Sequence, residues 1–203
     1  MNHTKTILFD LGNVLVPFEI QRGYQAFSEL TGLPPQAIAT RLQNSTVYAD
    51  YESGRLNTEE FHQSMQELLQ FSFSIVTLRE AWNRIFLPEP ATSEDLLLAL
   101  KKNHRLVLLS NTNELHFHWL REHYPLLGHF DAYTLSYEVQ AMKPEAAIYQ
   151  RAIQLAQCEP HECFYTDDIP KYVEAARTHG IRAEPFTTEA QLRAHLTAHQ
   201  IVF

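Results

Sequence analysis

The sequence predicts a three-layer α/β protein, in which a parallel sheet is covered by helices on both faces and an all-helical cap is inserted. Short apolar runs recur along the 203-residue chain and alternate with helical patterns in its second half, as is typical of a buried parallel sheet. Three of these runs end at a polar residue suited to a binding site. Residues 17–87 break the alternation, because that stretch contains helical patterns only.

Four apolar runs are the predicted strands, at residues 6–9, 105–109, 132–135 and 163–166. Asp10 follows the first run, Ser110 follows the second, and Asp167 follows the fourth. In an open parallel sheet, ligands bind beyond the carboxyl ends of the strands, where the strand order reverses. We therefore expect these three polar side chains to converge on one site.

Helical patterns lie between and after the later runs. Pro144 suits a first helical turn, and Ile148 and Ala152 then repeat at helical spacing. Thr188 with Gln191 three residues on predicts another helix, which begins with a capping box.

The helical cap is predicted at 17–87, where Asn57 with Glu60 resembles a helix start. The predicted core domain is therefore discontinuous, with residues 1–16 and 88–203 on either side of the cap.

Composition excludes several classes of protein. The formal charge is 16 − 24 = −8 and the chain is 45% hydrophobic, which disfavours electrostatic binding to nucleic acid or to an anionic membrane. No run approaches the roughly 18 apolar residues of a membrane helix. Two cysteines do not form a disulfide framework. We expect a cytoplasmic monomer or weak homodimer whose partner is a small phosphorylated metabolite.

The polar residues after the strands suit phosphoryl transfer. A carboxylate such as Asp10 can attack phosphorus and form an aspartyl-phosphate. Because a phosphate dianion repels that carboxylate, cations must neutralise it: Lys143 is one, and a magnesium ion held by Asp10 and the pair at 167–168 is the other. Hydroxyl and backbone donors around Ser110 and Asn111 would hold the phosphoryl oxygens.

These stretches together resemble the four motifs of the haloacid-dehalogenase-like hydrolase superfamily. They are FDLGNVL at 9–15, LLSNTN at 108–113, MKPE at 142–145 and FYTDD at 164–168. The resemblance covers essentially the whole chain, including the cap, where residues 51–55 read YESGR. It implies a Rossmann-like core. Within the superfamily, the first three stretches are similar to the bacterial α-D-glucose-1-phosphate phosphatase branch.

The resemblance implies a role for each motif residue. Asp10 would be the nucleophile, Ser110 a phosphate ligand, and Lys143 the charge that steadies both. The implied magnesium ligands are Asp10, the backbone carbonyl of Gly12, Asp167 in support, and Asp168. The residues assigned to substrate binding are Leu11, Gly12, Asn111 and Lys143.

Three residues depart from the superfamily pattern. Gly12 stands where a second aspartate usually acts as general acid and base, Gln140 stands where motif three usually has glycine, and Tyr172 replaces an Asp or Asn. Since a general acid supplies about 10²–10⁴-fold, Gly12 favours sugar-1-phosphates or similarly activated esters. His116 and Asn113 are candidates for the missing base, and the alternative is that His116 is only a polar residue on an early helical turn.

Two other functions fit parts of this pattern. Haloacid dehalogenases use the same aspartate without the second acid and without a metal, so Gly12 fits them, whereas the pair at 167–168 argues for a cation. Alternatively, the departures at residues 12, 140 and 172 suit a non-catalytic protein that binds a phosphate ligand or a partner.

Overall fold

The computed structural model describes residues 3–203, in which five strands form one parallel sheet of order β3-β2-β1-β4-β5. The strands are β1 Thr6–Phe9, β2 Arg105–Ser110, β3 Ala132–Leu135, β4 Cys163–Asp167 and β5 Arg182–Pro185. The four predicted strands are confirmed, and β5 is an addition. From the central β1 the chain builds outward through β2 and β3 on one side and through β4 and β5 on the other.

Eleven α-helices accompany the sheet in the described residues. The helices before β2 are α1 Ile20–Thr31, α2 Pro35–Gln43, α3 Val47–Glu52, α4 Thr58–Leu69, α5 Ile75–Asn83 and α6 Glu94–Lys101. The later ones are α7 Glu114–His123, α8 Ser136–Val139, α9 Ala146–Ala156, α10 Pro170–Thr178 and α11 Glu189–Ala198. None of them is long and apolar enough to cross a membrane.

Both faces of the sheet are buried, which confirms the three layers. Successive side chains of β1 point to opposite faces. Ile7 and Phe9 pack in a cluster with residues of α6, α7 and α11, whereas Leu8 packs in a second cluster with residues of α9 and α10. All four residues of β1 are buried, so the continuous apolar run is what a central strand needs.

Helices α1–α5 form the predicted all-helical cap, called the cap below. Its own core is built around Phe27, Phe61 and Trp82. The segments by which the chain enters and leaves the cap lie side by side and are hydrogen bonded to each other. The Glu19 amide donates to the Ile85 carbonyl at 2.8 Å, and the Leu87 amide donates to the Pro17 carbonyl at 2.9 Å. The domain boundaries on either side of 17–87 stay predictions.

Local helix signals were correct in part. Asn57 and Glu60 form a full capping box at α4. Thr188 caps α11 by accepting from the Gln191 amide. The placement of Pro144 in a first helical turn is wrong: α9 begins at Ala146, because residues 142–145 form a turn closed by a 2.7 Å hydrogen bond from the Glu145 amide to the Met142 carbonyl.

Candidate active site

The predicted site residues meet at the carboxyl ends of the central strands. Asp10 follows β1, Ser110 ends β2 and Asp167 ends β4. The register pairs Phe9 with Leu108 and with Thr166, so Asp10 and Asp167 stand side by side at the strand ends and Ser110 lies one residue further along β2. The strands β2 and β3 lie on one side of β1, and β4 and β5 lie on the other. The strand order therefore reverses at β1, and the carboxyl end of β1 is the switch point of this open α/β fold.

Lys143 joins two of these acids in a buried ion-pair triad. Its Nζ lies 2.7 Å from Asp10 Oδ1 and 2.6 Å from Asp167 Oδ2. The three side chains are nearly inaccessible, with Lys143 3%, Asp10 6% and Asp167 0% exposed. Since buried charges persist only when they are paired and hydrogen bonded, the triad is a rigid element of the site.

The main chain of Lys143 is fixed by Asn111. The Lys143 amide donates to Asn111 Oδ1 at 2.7 Å, and Asn111 Nδ2 donates to the Lys143 carbonyl at 3.1 Å. Asn111 Nδ2 also lies 3.4 Å from the Tyr172 hydroxyl. The Asn111 side chain is thus occupied in positioning Lys143, which leaves its main chain for the predicted contact with substrate.

Two tyrosines complete the surroundings of the lysine. The Tyr172 ring lies 5.0 Å from Lys143 Nζ in a cation–π arrangement, so this departure from the superfamily pattern puts an aromatic face where Asp or Asn is usual. Tyr165 approaches from β4, and its hydroxyl lies 3.1 Å from Lys143 Nζ and donates to Asp167. Lys143 is therefore held in place without the usual Asp or Asn.

Lys143 is charged in the folded protein. Burial lowers the pKa of Lys143, but the carboxylates of Asp10 and Asp167 overcome this and raise it above its ordinary value. Burial raises the pKa of Asp10 to about 7, although the Lys143 ammonium opposes that rise. The protonated lysine, 2.7 Å away, favours the ionised form of the Asp10 carboxylate, which is the state a nucleophile needs.

A third carboxylate completes a set suited to a cation. One oxygen from each of Asp10, Asp167 and Asp168 lies within 4.8 Å of the others. Asp168 is half-buried and accepts from Asn13 Nδ2 at 3.2 Å, while Asp167 already accepts from Lys143 and from the Ile169 amide at 2.8 Å. Clustered hard oxygen ligands fit magnesium, and Asp10 and Asp168 have the freer oxygens.

A cavity of about 80 Å³ opens above this edge, between the core and the cap. Leu11, Gly12 and Ser110 line it from the core. Tyr48 and Glu52 line it from α3. The remaining wall is largely apolar, and its residues are Phe18, Ile85, Phe86, Asn111, Thr112, His116 and Leu120. The site therefore offers room for a small group at the strand ends.

Phe18 occupies the space that a side chain at position 12 would need. A β-carbon added to Gly12 would lie 2.8 Å from Phe18 Cε1, which is closer than carbon atoms approach. The Phe18 ring is 37% exposed and lies where the chain enters the cap. An aromatic ring thus stands where the second aspartate of the superfamily pattern would project.

His116 lines the cavity but is a poor base. It is 4% exposed and stacks on Trp82, with ring centroids 5.2 Å apart, and burial lowers its pKa to about 3. Its Nδ1 lies 2.8 Å from Asn83 Oδ1; because Asn83 Nδ2 donates to the Arg79 carbonyl, that oxygen accepts and Nδ1 carries the proton. Asn113, the other candidate, is the N-cap of α7.

Several residues of the site were not singled out from the sequence. Asn13 adopts a left-handed conformation with φ 57° and joins the loop after β1 to Asp168. Phe18, Tyr48 and Glu52 come from the cap or its entrance. Glu52 belongs to the YESGR stretch, which resembles the cap of the superfamily. Nothing in that local sequence indicates that the Glu52 carboxyl faces the core.

Comparison with known proteins identifies the family. A family model described as haloacid dehalogenase-like hydrolase matches residues 4–180. The D-ribitol-5-phosphate phosphatase of Bacteroides thetaiotaomicron is 26% identical over 199 residues, covering 95% of this chain and 97% of that protein.

Solved structures agree in fold. A HAD family enzyme from Bacteroides thetaiotaomicron, in complex with magnesium, superposes with a TM-score of 0.84 at 28% identity, over 96% of this chain and 98% of the other. The same enzyme with magnesium and inorganic phosphate gives a TM-score of 0.83 at 28% identity over 91% and 95%. The L-2-haloacid dehalogenase PA0810 gives 0.70 at 19% identity over 96% and 99%, which shows a shared fold alone.

Proposed function

Since this chain belongs to the haloacid dehalogenase-like hydrolase family, we propose that it is a magnesium-dependent phosphatase that hydrolyses a small phosphorylated metabolite through an aspartyl-phosphate. The observation that carries the proposal is the buried triad, in which one lysine contacts both Asp10 and Asp167 at the ends of β1 and β4. The three-carboxylate cluster favours this activity over metal-independent dehalogenation.

In the proposed reaction, Asp10 attacks phosphorus and the ester oxygen leaves. Asp10 Oδ1 is bound by Lys143, so the other oxygen is the one free to form the new bond. The Lys143 ammonium offsets the repulsion between the carboxylate and the phosphate dianion. Ser110, 1% exposed at the end of β2, is the proposed ligand of a phosphoryl oxygen.

The proposed magnesium ligands are Asp10, Asp168 and the Gly12 carbonyl, with Asp167 in support. When bound, the ion would neutralise phosphoryl oxygens and act as a Lewis acid. In this chain, Asp167 is held in place because it accepts hydrogen bonds from Lys143 and from the Ile169 amide. Asn13 does the same for Asp168.

Two observations support a small phosphorylated substrate. The cavity has a volume of about 80 Å³, which suits a small metabolite, and the likeness to a ribitol-phosphate phosphatase adds sugar and polyol phosphates to the candidates. With glycine at position 12, a sugar-1-phosphate needs less help in leaving than an alkyl phosphate. A second acid near the leaving oxygen would extend the range to alkyl phosphates.

The test is phosphate release by the purified protein and by Asp10→Asn, with magnesium present or chelated. The substrates would be p-nitrophenyl phosphate, acetyl phosphate, glucose-1-phosphate, glucose-6-phosphate and D-ribitol 5-phosphate. We expect magnesium-dependent release that falls at least about 10³-fold in the variant, because the nucleophile is lost. Chloride release from 2-chloropropionate that survives chelation, with no phosphate released from any ester, would instead identify a dehalogenase.

A further inference from the structure

We propose that Glu52 of the cap is the general acid and base that Gly12 does not provide: it protonates the leaving oxygen and then takes a proton from the attacking water. This inference rests on the proposed phosphatase function and assigns a residue of the cap to its chemistry. Among the residues that line the cavity in the described part of the chain, Glu52 is the one carboxylic acid.

Glu52 faces the reacting edge from the opposite side. It lies at the end of α3 and is 8% exposed. It shares the cavity with Gly12, where the usual acid is missing, and with Ser110, the proposed phosphate ligand. A leaving group that extends from phosphate into this cavity therefore passes between the strand ends and the Glu52 carboxyl.

The core holds the backbone of Glu52 in this position. Ser136 Oγ donates to the Glu52 carbonyl at 2.6 Å and accepts from the Thr112 amide at 2.9 Å. A single hydroxyl thus ties the end of α3 to the loop after β2. Removal of one partner would leave a buried polar group unsatisfied, which disfavours separation of the two segments.

A glycine that closely follows Glu52 permits this close approach. Gly54 has φ +69°, and a β-carbon there would lie 2.1 Å from the Tyr137 carbonyl oxygen. The backbone of the cap and that of α8 could not meet so closely with any side chain at position 54. The YESGR stretch therefore combines the acid with the glycine that docks it against the core.

The side chain is held in a state that can exchange a proton near neutral pH. The Tyr48 hydroxyl donates to Glu52 Oε1 at 2.6 Å. Burial raises the pKa of Glu52 to about 7, while that hydrogen bond and the Lys143 ammonium oppose the rise. Two other titratable groups line the cavity and both are neutral: burial raises the pKa of the Tyr48 hydroxyl well above its ordinary value, and burial lowers the pKa of His116 to about 3.

The proposed steps balance in protons and bonds. In the first, an Asp10 oxygen bonds to phosphorus, the bond from phosphorus to the ester oxygen breaks, and the Glu52 proton moves to that oxygen. In the second, a water oxygen bonds to phosphorus, its proton passes to Glu52, and the bond from phosphorus to Asp10 breaks. Phosphate leaves, and the Asp10 carboxylate and the Glu52 acid are restored.

The experiment compares wild type with Glu52→Gln on two esters. The side-chain amide of this variant would still accept a hydrogen bond from Tyr48 but could not donate or take a proton as an acid does. D-Ribitol 5-phosphate has an alkoxide leaving group that needs an acid, whereas p-nitrophenol leaves without one. On the ribitol ester we expect kcat of the variant to fall by about 10²–10⁴-fold.

On p-nitrophenyl phosphate, rapid mixing of the variant should give a burst of about one p-nitrophenol per active site, followed by slow turnover. Formation of the aspartyl-phosphate then needs no acid, but its hydrolysis lacks the base. A role limited to holding a substrate hydroxyl would raise KM for the ribitol ester and give no burst. The wild-type rate on the ribitol ester should also fall as pH rises through about 7, and this limb should vanish in the variant.

Asp50→Asn on the exposed side of α3 is the matched control, because Asp50 pairs with Arg55 at 2.6 Å away from the cavity. It should behave as wild type. An active wild type with Glu52→Gln unchanged on both esters, or without the burst, overturns the role of Glu52 alone. A wild type without phosphate release that depends on Asp10 removes the phosphatase function and this inference with it.

Discussion

The core and the cap contribute to the site by different physical means. On the core side, called the core wall below, the charged residues at the strand ends are tightly paired: Asp10, Lys143 and Asp167 satisfy one another at 2.6–2.7 Å with almost no exposure. The cap wall is mostly apolar, and its one acid, Glu52, has a tyrosine hydroxyl rather than a cation as its partner. The core wall thus holds charged groups in fixed positions, whereas the cap wall holds an acid that can gain or lose a proton.

This difference suggests a division of labour. The lysine of the triad can stabilise an anionic group but cannot readily deliver a proton to a leaving oxygen, because its charge is held by the two carboxylates that pair with it. A buried acid without a cation has a raised pKa and can deliver one. The core wall therefore suits the phosphoryl group, which all phosphate esters share, and the cap wall suits the leaving group, which differs among them.

The largest expected effect is on stability, where substitutions in the core wall and in the cap wall should differ most. Lys143→Met would leave two buried carboxylates without their cation, so we expect a loss of about 3–5 kcal/mol in the free energy of unfolding and of about 10²–10³-fold in kcat. Burial raises the pKa of Glu52, so its ionised form is disfavoured in the folded protein at pH 7; Glu52→Gln removes that cost and should be no less stable than wild type.

Denaturant unfolding at pH 7 measures both variants on the same scale. Equal destabilisation would show that Glu52 is as dependent on a charged partner as the core triad is. That result would contradict the distinction between the two walls.

A smaller effect is expected where the walls meet, at Gly12 and Phe18. In Gly12→Ala the new methyl group would displace the Phe18 ring, which now lies 2.8 Å from that position. Phe18→Ala removes the obstacle, so the two substitutions should be coupled by about 1 kcal/mol in unfolding free energy. A double-mutant cycle measures this coupling.

The control for that cycle is Phe71→Ala, which truncates an exposed phenylalanine, 41% accessible, in the loop between α4 and α5. Its effect should add to that of Gly12→Ala within about 0.5 kcal/mol. Additivity for Phe18 as well would mean that the ring does not take the place of a side chain at position 12.

The core wall could be predicted from the sequence, because its signals are local. Continuous apolar runs mark buried strands, and Asp10 and Ser110 lie directly after or at the end of such runs. The strand β5 was not predicted. It lies at the edge of the sheet, and only one residue of its sequence, RAEP, is buried. A short edge strand needs little apolar surface, so it leaves no run to detect.

The cap wall could not be predicted in the same way. Glu52 reaches the site only because Ser136, 84 residues further along the chain, binds its carbonyl. Phe18 fills the space beside Gly12 through a turn in which Asn13 adopts φ 57°. Such placement depends on how two packed units meet, and hydrophobic periodicity within one helix does not encode it.

The smallest expected effect concerns Gln140, the departure in motif three, which lies close to Lys143 in the chain. Gln140 is exposed and adopts φ 57° and ψ 34° at the end of α8, a conformation that costs a residue with a side chain about 1–2 kcal/mol. Because glycine in turn loses about 0.5–1 kcal/mol of backbone entropy, Gln140→Gly should stabilise the protein by roughly 0.5–1 kcal/mol.

Gln157→Gly is the matched control, since Gln157 is also exposed and has φ 58° and ψ 30° at the end of α9, away from the cavity. Both variants should gain about 1–4 °C in Tm. If the glycine of the superfamily pattern serves only to allow this backbone conformation, both variants should also keep the wild-type rate of phosphate release. A change in rate confined to Gln140→Gly would mean that the side chain at this position helps to orient Lys143. The position of Lys143 would then depend on a residue outside the triad.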